Sequence, residues 1–196
     1  MDKIFHSTFD FFTHALPGFC VLSAFFILDT NLNYPEDFLG YAGKMNIGSG
    51  VFMLVASYIT GFAINPLGRA LYRSLGFRLF KSQPHAANES GLFISNKFIL
   101  IREFSPNNFR YVETWHMFSA MAHNLAIASL LMVLFSIGKI AFCDPPNASF
   151  WCASAALLSG FFFLFLHRAV KFNLWATDDL NAAIRALQLE DRAAGK

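Results

Sequence analysis

Charged residues are scarce in this sequence. Only 14% of the 196 residues are Asp, Glu, Lys or Arg, whereas a typical soluble domain has about 25%. Hydrophobic residues make up 55% of the chain, and the mean hydropathy is +0.43. This balance excludes an ordinary soluble domain and favours a membrane protein that resides in a lipid bilayer. The net charge of +2 gives no reason to expect direct nucleic-acid binding.

Cysteine is equally rare, with three residues in the chain. Cys20 lies in an apolar stretch, where a thiol behaves as a small hydrophobic group. Cys143 and Cys152 bracket a short loop and would be able to form a disulfide if that loop faced an oxidising compartment. Spacing alone does not decide this, because a disulfide also needs a specific geometry. The cysteines have no neighbouring histidines at zinc-site spacing, so the sequence predicts no metal.

The features of a cleavable signal peptide are also missing. The first residues, MDKIFHSTFDFF, include acidic side chains and offer no small-residue cleavage site. We therefore expect the first apolar stretch to be retained.

Long apolar stretches are abundant instead. Residues 117–138 include no charged residue, and about 20 apolar residues in a helix cross a hydrocarbon core of about 30 Å. Similar stretches elsewhere predict four spans, at residues 11–28, 47–67, 118–140 and 150–166. The predicted fold class is therefore all-α, an integral membrane four-helix bundle. Ser105 and Pro106 form a helix-start signature, so we expect one helix to run from there into the third span.

Basic residues are concentrated between the second and third spans, in segment 68–116. This basic face consists of Arg69, Arg73, Arg78, Lys81, Lys97, Arg102 and Arg110. The outer loops hold only Lys44 and, at the boundary, Lys139. Because basic residues mark the cytoplasmic side of spans, we expect this segment and both termini to face the cytoplasm of a bacterial inner membrane.

The remaining segments are shorter. Residues 29–46 are rich in turn residues and are predicted to form the first outer loop. Residues 92–104 mix apolar and basic side chains, which predicts a surface-lying segment or a short strand pair. The tail, residues 172–196, is predicted to be an amphipathic cytoplasmic helix. Thr177 and the two acids after it are a helix start, and the apolar face comprises Leu180, Ile184 and Leu187.

The predicted topology places polar residues from all four spans at one depth near the inner leaflet. This polar layer consists of His14, Asn65, His123, Asn124 and His167. Polar groups inside a membrane are costly unless they have partners, and they mark candidate functional sites. Three interpretations remain open: hydrogen bonds between helices, a water-filled vestibule or ion path, and a haem or metal site with neutral imidazole ligands.

No arrangement of residues predicts catalysis. Nucleophilic catalysis needs a base beside a Ser or Cys, and no such set is visible. Arg110 and His116 are spaced like the pair of a HEPN-type ribonuclease, but basic and aromatic residues are expected where a helix enters lipid. The sequence therefore predicts a protein that is not an enzyme and needs no cofactor.

Residues 10–19, DFFTHALPGF, together with the four-span plan, resemble small bacterial four-helix membrane proteins. Some proteins of this general build are membrane components of anti-phage defence systems. The resemblance implies a role in sensing or disrupting the membrane together with a soluble partner.

Small residues in two spans favour helix association and hence a homo-oligomer. They are Ser57 and Gly61 in the second span, and residues 153–156 with Ser159 and Gly160 in the fourth. The leading hypothesis is a non-enzymatic oligomer that acts as a membrane sensor, anchor or pore component, with a soluble cytoplasmic partner. The alternatives are a redox or transport protein that uses the histidine layer, and a plain anchor for a separate enzyme.

Overall fold

The computed structural model describes residues 2–29, 33–82 and 92–189, with the side chains of residues 2–10 and 35 left out of the description. Over these residues the fold is all-helical, as the sequence predicts. The helices are α1 (Asp2–Phe26), α2 (Pro35–Gly43), α3 (Ile47–Leu71), α4 (Phe77–Leu79), α5 (Ile94–Phe104), α6 (Pro106–Cys143) and α7 (Ala148–Ala186). A π-helical turn, Tyr72–Gly76, joins α3 to α4.

Three helices are long and apolar enough to cross a membrane: Ile47–Leu79, Pro106–Cys143 and Ala148–Ala186. Helix α1 adds a shorter apolar stretch at Phe11–Phe26. These helices are therefore compatible with a protein that crosses the membrane several times. The lengths agree with the apolar runs of the sequence, because about 1.5 Å of rise per residue makes even the 25-residue α3 about 37 Å long.

Helices α1 and α3 meet through glycine. A Cβ atom on Gly18 would overlap the carbonyl oxygen of Ser57, and one on Gly61 would overlap the carbonyl oxygen of His14. The two backbones are thus in direct contact, which only small residues permit. Ser57 and Gly61, which the sequence offers as an oligomer contact, are buried within the chain against α1.

Helices α6 and α7 form a long antiparallel hairpin with two apolar clusters. The first lies between them and the π-helical turn and is centred on Ala126, Leu166 and Val170. The second packs α5 against the ends of α6 and α7 and includes Ile101 and Val112. Pro106 occupies the first turn of α6, so the predicted start of this helix at Ser105 and Pro106 is confirmed.

The tail does not begin a separate helix at Thr177. Helix α7 continues without a break from the apolar stretch to Ala186, and the Thr177 hydroxyl donates to the Asn173 carbonyl, 2.9 Å away, instead of capping a new helix. The chain stays helical because the apolar face predicted for the tail, Leu180 and Ile184, is buried against α5 and α6. Residues 190–196 lie outside the described residues.

Two short segments for which the sequence predicts no helix are helical. The segment predicted as the first outer loop contains α2, which begins after Tyr34 because the Asp37 carboxylate accepts hydrogen bonds from the Asn33 and Tyr34 amides, both at 2.8 Å. The Tyr41 hydroxyl donates to the Asp29 carboxylate at 3.3 Å, and this negative charge raises the pKa of Tyr41. Segment 92–104 forms helix α5, not a strand pair.

Lys139, predicted at the boundary between the third span and the outer loop, is wholly buried near the end of α6. Its ammonium donates to the Asp29 carbonyl just beyond α1 and lies 5.8 Å from the centre of the Trp151 ring. A lysine that donates to the free carbonyls at a helix C-terminus is favourably placed.

Candidate functional site

The polar layer has one hydrogen-bonded pair that joins two helices. His123 Nε2 on α6 lies 2.7 Å from Asn65 Oδ1 on α3. The Tyr72 ring stacks on the imidazole at 5.2 Å with an angle of 12°. Gly68 makes room for this contact, because a Cβ there would lie 2.6 Å from His123 Cδ2. His123 and Asn65 thus hold α3 and α6 together.

The other members of the layer have separate surroundings. The His14 ring lies edge-on to Tyr58 at 5.7 Å and to Phe62 at 5.5 Å, and the His167 ring lies edge-on to Phe80 at 4.9 Å. Asn124 is wholly buried, and neither polar atom of its side chain has a hydrogen-bond partner among the described residues. No group of three or more His, Cys, Asp or Glu in the described ranges is placed to hold a metal ion.

The basic face is largely exposed, as its sequence suggests. Lys97 is the exception, since only 3% of it is exposed and its ammonium donates to Asn181 Oδ1 on α7 at 2.8 Å. Arg102 packs over the Phe109 ring at 5.9 Å. The exposed members are Arg69, Arg73, Arg78, Lys81, Arg102 and Arg110.

Two of these arginines line a cavity that the sequence did not reveal. There are two neighbouring cavities, of about 410 Å³ and about 440 Å³, with four lining residues in common; we call them the upper and the lower lobe of the basic cavity. The upper lobe adjoins the polar layer at His123, and the lower lobe lies between α5 and α7. The wall that both lobes share consists of Arg73, Phe98, His116 and Asn173.

The basic cavity depends on the π-helical turn. This turn places Tyr72 in the interior and brings Gly76 against α7, where a Cβ would lie 2.9 Å from Val170 Cγ2. π-Helical turns are rare and are frequently found at functional sites. At the lower lobe, the hydrogen bond from Lys97 to Asn181 holds α5 against α7. The sequence reveals the basic residues but not the cavity, because the lining comes from six elements: α3, the π-helical turn, α4, α5, α6 and α7.

The charge of the upper lobe is predominantly positive. Its lining includes Arg69 and Arg73, with Glu113 as the one carboxylate among the described lining residues. Arg69 and Arg73 form no ion pair with a carboxylate of the described ranges. The arrangement therefore offers two guanidinium groups that are available to an anion.

Cys143 and Cys152 are both free thiols in the structure. The Cys143 sulfur lies 3.8 Å from the Leu28 carbonyl oxygen, and Cys152 is exposed. A disulfide between them stays a prediction.

No family model matches this chain, and no curated protein or solved structure is significantly similar to it. The site must therefore be interpreted from its own geometry.

Proposed function

We propose that the protein is a non-enzymatic, multi-pass membrane protein that oligomerises and works with a soluble cytoplasmic partner as a membrane sensor, anchor or pore component. The observation that carries this proposal is the α6–α7 hairpin. Its apolar part is long enough for a bilayer, and the same two helices continue into a packed layer with α5 and the basic residues. In this proposal the hairpin joins the membrane to a surface that faces water.

In this proposal α1, α3, α6 and α7 form a four-span bundle with both termini in the cytoplasm. Large apolar side chains on the apolar stretches are highly exposed, including Phe52 at 75% and Phe142 at 88%. Such surface is unusual for a soluble monomer and fits contact with lipid. The exposed arginines lie at the opposite end from α2, which supports the orientation that places them inside.

The proposed oligomer contact lies on α7. Ala153, Ala156 and Gly160 are exposed on one face of this helix, and a Cβ on Gly160 would meet nothing within 4 Å. Small residues let a second helix approach closely in a membrane. Because Ser57 and Gly61, the small-residue pair of α3, are already covered by α1, α7 is the favoured contact.

The proposed soluble partner binds the cytoplasmic layer. Exposed Arg78, Arg102 and Arg110 suit a partner with an acidic surface. Residues 10–19 resemble small bacterial four-helix membrane proteins, and some proteins of that general build serve in anti-phage defence. This suggests defence as the setting, in a bacterial inner membrane.

Crosslinking in native membranes tests the oligomer. In a background with the three native cysteines replaced by serine, Gly160→Cys is expected to give dimers or larger species with a short bismaleimide. Ile59→Cys, at a position 61% exposed on α3, serves as the control and is expected to remain monomeric. If Gly160→Cys also gave only monomer, the proposed contact would be wrong. Purification in mild detergent then shows whether a stoichiometric soluble partner accompanies the oligomer.

A second candidate function, transport through the polar layer, is favoured by Asn124. A wholly buried amide without a protein partner costs free energy, and water commonly satisfies such groups. In proteoliposomes, Asn124→Leu would then lower ion or proton flux, whereas an unchanged flux would remove this candidate. A visible spectrum of the purified protein tests the haem version, which requires a Soret band.

A further inference from the structure

We propose that the basic cavity is a binding site for a phosphate ester, with the phosphate group held by Arg69 and Arg73 in the upper lobe. The inference rests on the proposed function only for the position of the cavity at the inner face of the membrane. It needs neither the oligomer nor the soluble partner.

The two arginines are arranged for one anion. They are four residues apart on α3 and the π-helical turn, so their side chains lie on the same face of the helix, and both line the upper lobe. Neither forms an ion pair with a carboxylate of the described residues. A planar guanidinium donates two parallel hydrogen bonds to a phosphate, which makes arginine pairs common in phosphate sites.

The cavity is larger than a bare phosphate requires. Each lobe has about the volume of a small-molecule site. The lower lobe combines polar groups at every fourth residue of α7, namely Asn173, Thr177 and Asn181, with the apolar side chains of Phe77, Ile94 and Leu180. A phosphate ester, which carries an organic group, therefore fills the upper lobe better than inorganic phosphate does.

The position of the cavity suggests where this ligand comes from. The upper lobe reaches His123 in the predicted third span, and an aromatic cluster of Tyr111, Trp115 and Trp175 lies at the same end of the hairpin. Tyr and Trp are enriched at the headgroup level of membranes. The shared chemistry is a phosphate ester, and its source is either an anionic phospholipid headgroup or a free cytoplasmic compound.

The test uses the full chain, delipidated in mild detergent, and three probes. Native mass spectrometry counts bound dioleoylphosphatidylglycerol, with dioleoylglycerol as the lipid that lacks phosphate, and equilibrium dialysis measures radiolabelled inorganic phosphate. Arg73→Gln and Arg69→Gln are each expected to weaken binding about tenfold, the loss of one charge-assisted pair of hydrogen bonds. Arg78→Gln removes the same charge outside the cavity lining and is expected to leave binding unchanged.

Each outcome is decisive. Phosphatidylglycerol bound in preference to dioleoylglycerol, with arginine dependence, supports a lipid headgroup. Inorganic phosphate bound with the same dependence, and no preference among lipids, supports a free phosphate compound. Absence of binding, or equal weakening by Arg78→Gln in samples that elute and melt like the native protein, overturns the proposal. The particle mass of the same samples reports the oligomer separately, so a monomer that binds phosphate would contradict the proposed function but not this site.

Discussion

At the scale of single residues, one hydrogen bond joins the two helices of the hairpin near the C-terminal end of α7. Trp115 Nε1 donates to Asp179 Oδ2 at 2.9 Å, and the Trp115 ring also stacks on Phe172 at 5.7 Å. Hydrogen bonds to a charged group are stronger than neutral ones. This bond therefore fixes the C-terminal end of α7 to α6.

Trp115→Phe is expected to lower the free energy of unfolding by about 1–2 kcal/mol, because it removes the donor and keeps most of the aromatic packing. Denaturant unfolding in detergent, followed by circular dichroism, measures this change. Trp175→Phe is the matched control, since Trp175 is 40% exposed and belongs to the same cluster. Equal effects of the two variants would show that the Asp179 bond contributes little.

At the scale of elements, one face of α3 organises the packing. Its buried residues are Ser57, Gly61, Ile64 and Gly68, and three of these four are small. The first pair contacts α1 and Gly68 contacts α6. One row of small residues thus lets α3 pack closely against both α1 and α6.

Gly61→Ala is expected to be strongly destabilising, by about 1–3 kcal/mol or more, because the added methyl group overlaps the His14 carbonyl and the contact is between two backbones. Gly50→Ala is the control on the same helix, where a Cβ meets nothing within 4 Å. The control is expected to be neutral or slightly stabilising, since alanine is a better helix former than glycine. Thermal unfolding in detergent compares the two, and an unaffected Gly61→Ala would contradict the observed crossing.

Some helix starts follow from local sequence signals, and others do not. The start of α6 was predictable because a proline at the first helical position is a local signal. The helix start predicted at Thr177 was wrong. Its capping signal is local too, but the packing of α7 on α5 and α6 keeps the chain helical through this residue. Helix α2 was missed although Pro35 and Asp37 are start signals, since turn residues dominate that segment.

The candidate site was predictable only in part. His123 and Asn65 share a depth that follows from the order of the spans, and the structure brings them together. Lys97 and Lys139, which the sequence places on the basic face and at a span boundary, are both buried because oxygen atoms elsewhere in the chain accept hydrogen bonds from their ammonium groups. The basic cavity needs six elements in contact, which no local pattern encodes.

At the scale of the whole molecule, the proposed topology differs from an ordinary helical bundle because it assigns each end of the helices to one side of the membrane. The exposed Cys152 lies near the start of α7, at the end of the hairpin opposite the basic cavity. In the proposed topology this thiol faces the outside and Arg78 faces the cytoplasm.

A membrane-impermeant maleimide is expected to label Cys152 in intact spheroplasts, in a background with Cys20 and Cys143 replaced by serine. Arg78→Cys, in the background that also lacks Cys152, is expected to be labelled only after the membrane is permeabilised. Labelling is detected by the mass shift of the purified chain. The reverse pattern would show that the topology is inverted.

The unbroken length of α6 and α7 has a mechanical consequence. Helices of 38 and 39 residues are about 57 Å long, nearly twice the hydrocarbon thickness. In the proposed topology a large part of each therefore lies beyond the lipid core. When a thinner bilayer tilts a helix to hide its apolar length, a stiff helix carries the same angle to its far end. A change in membrane thickness would then move the end of the hairpin that carries the basic cavity.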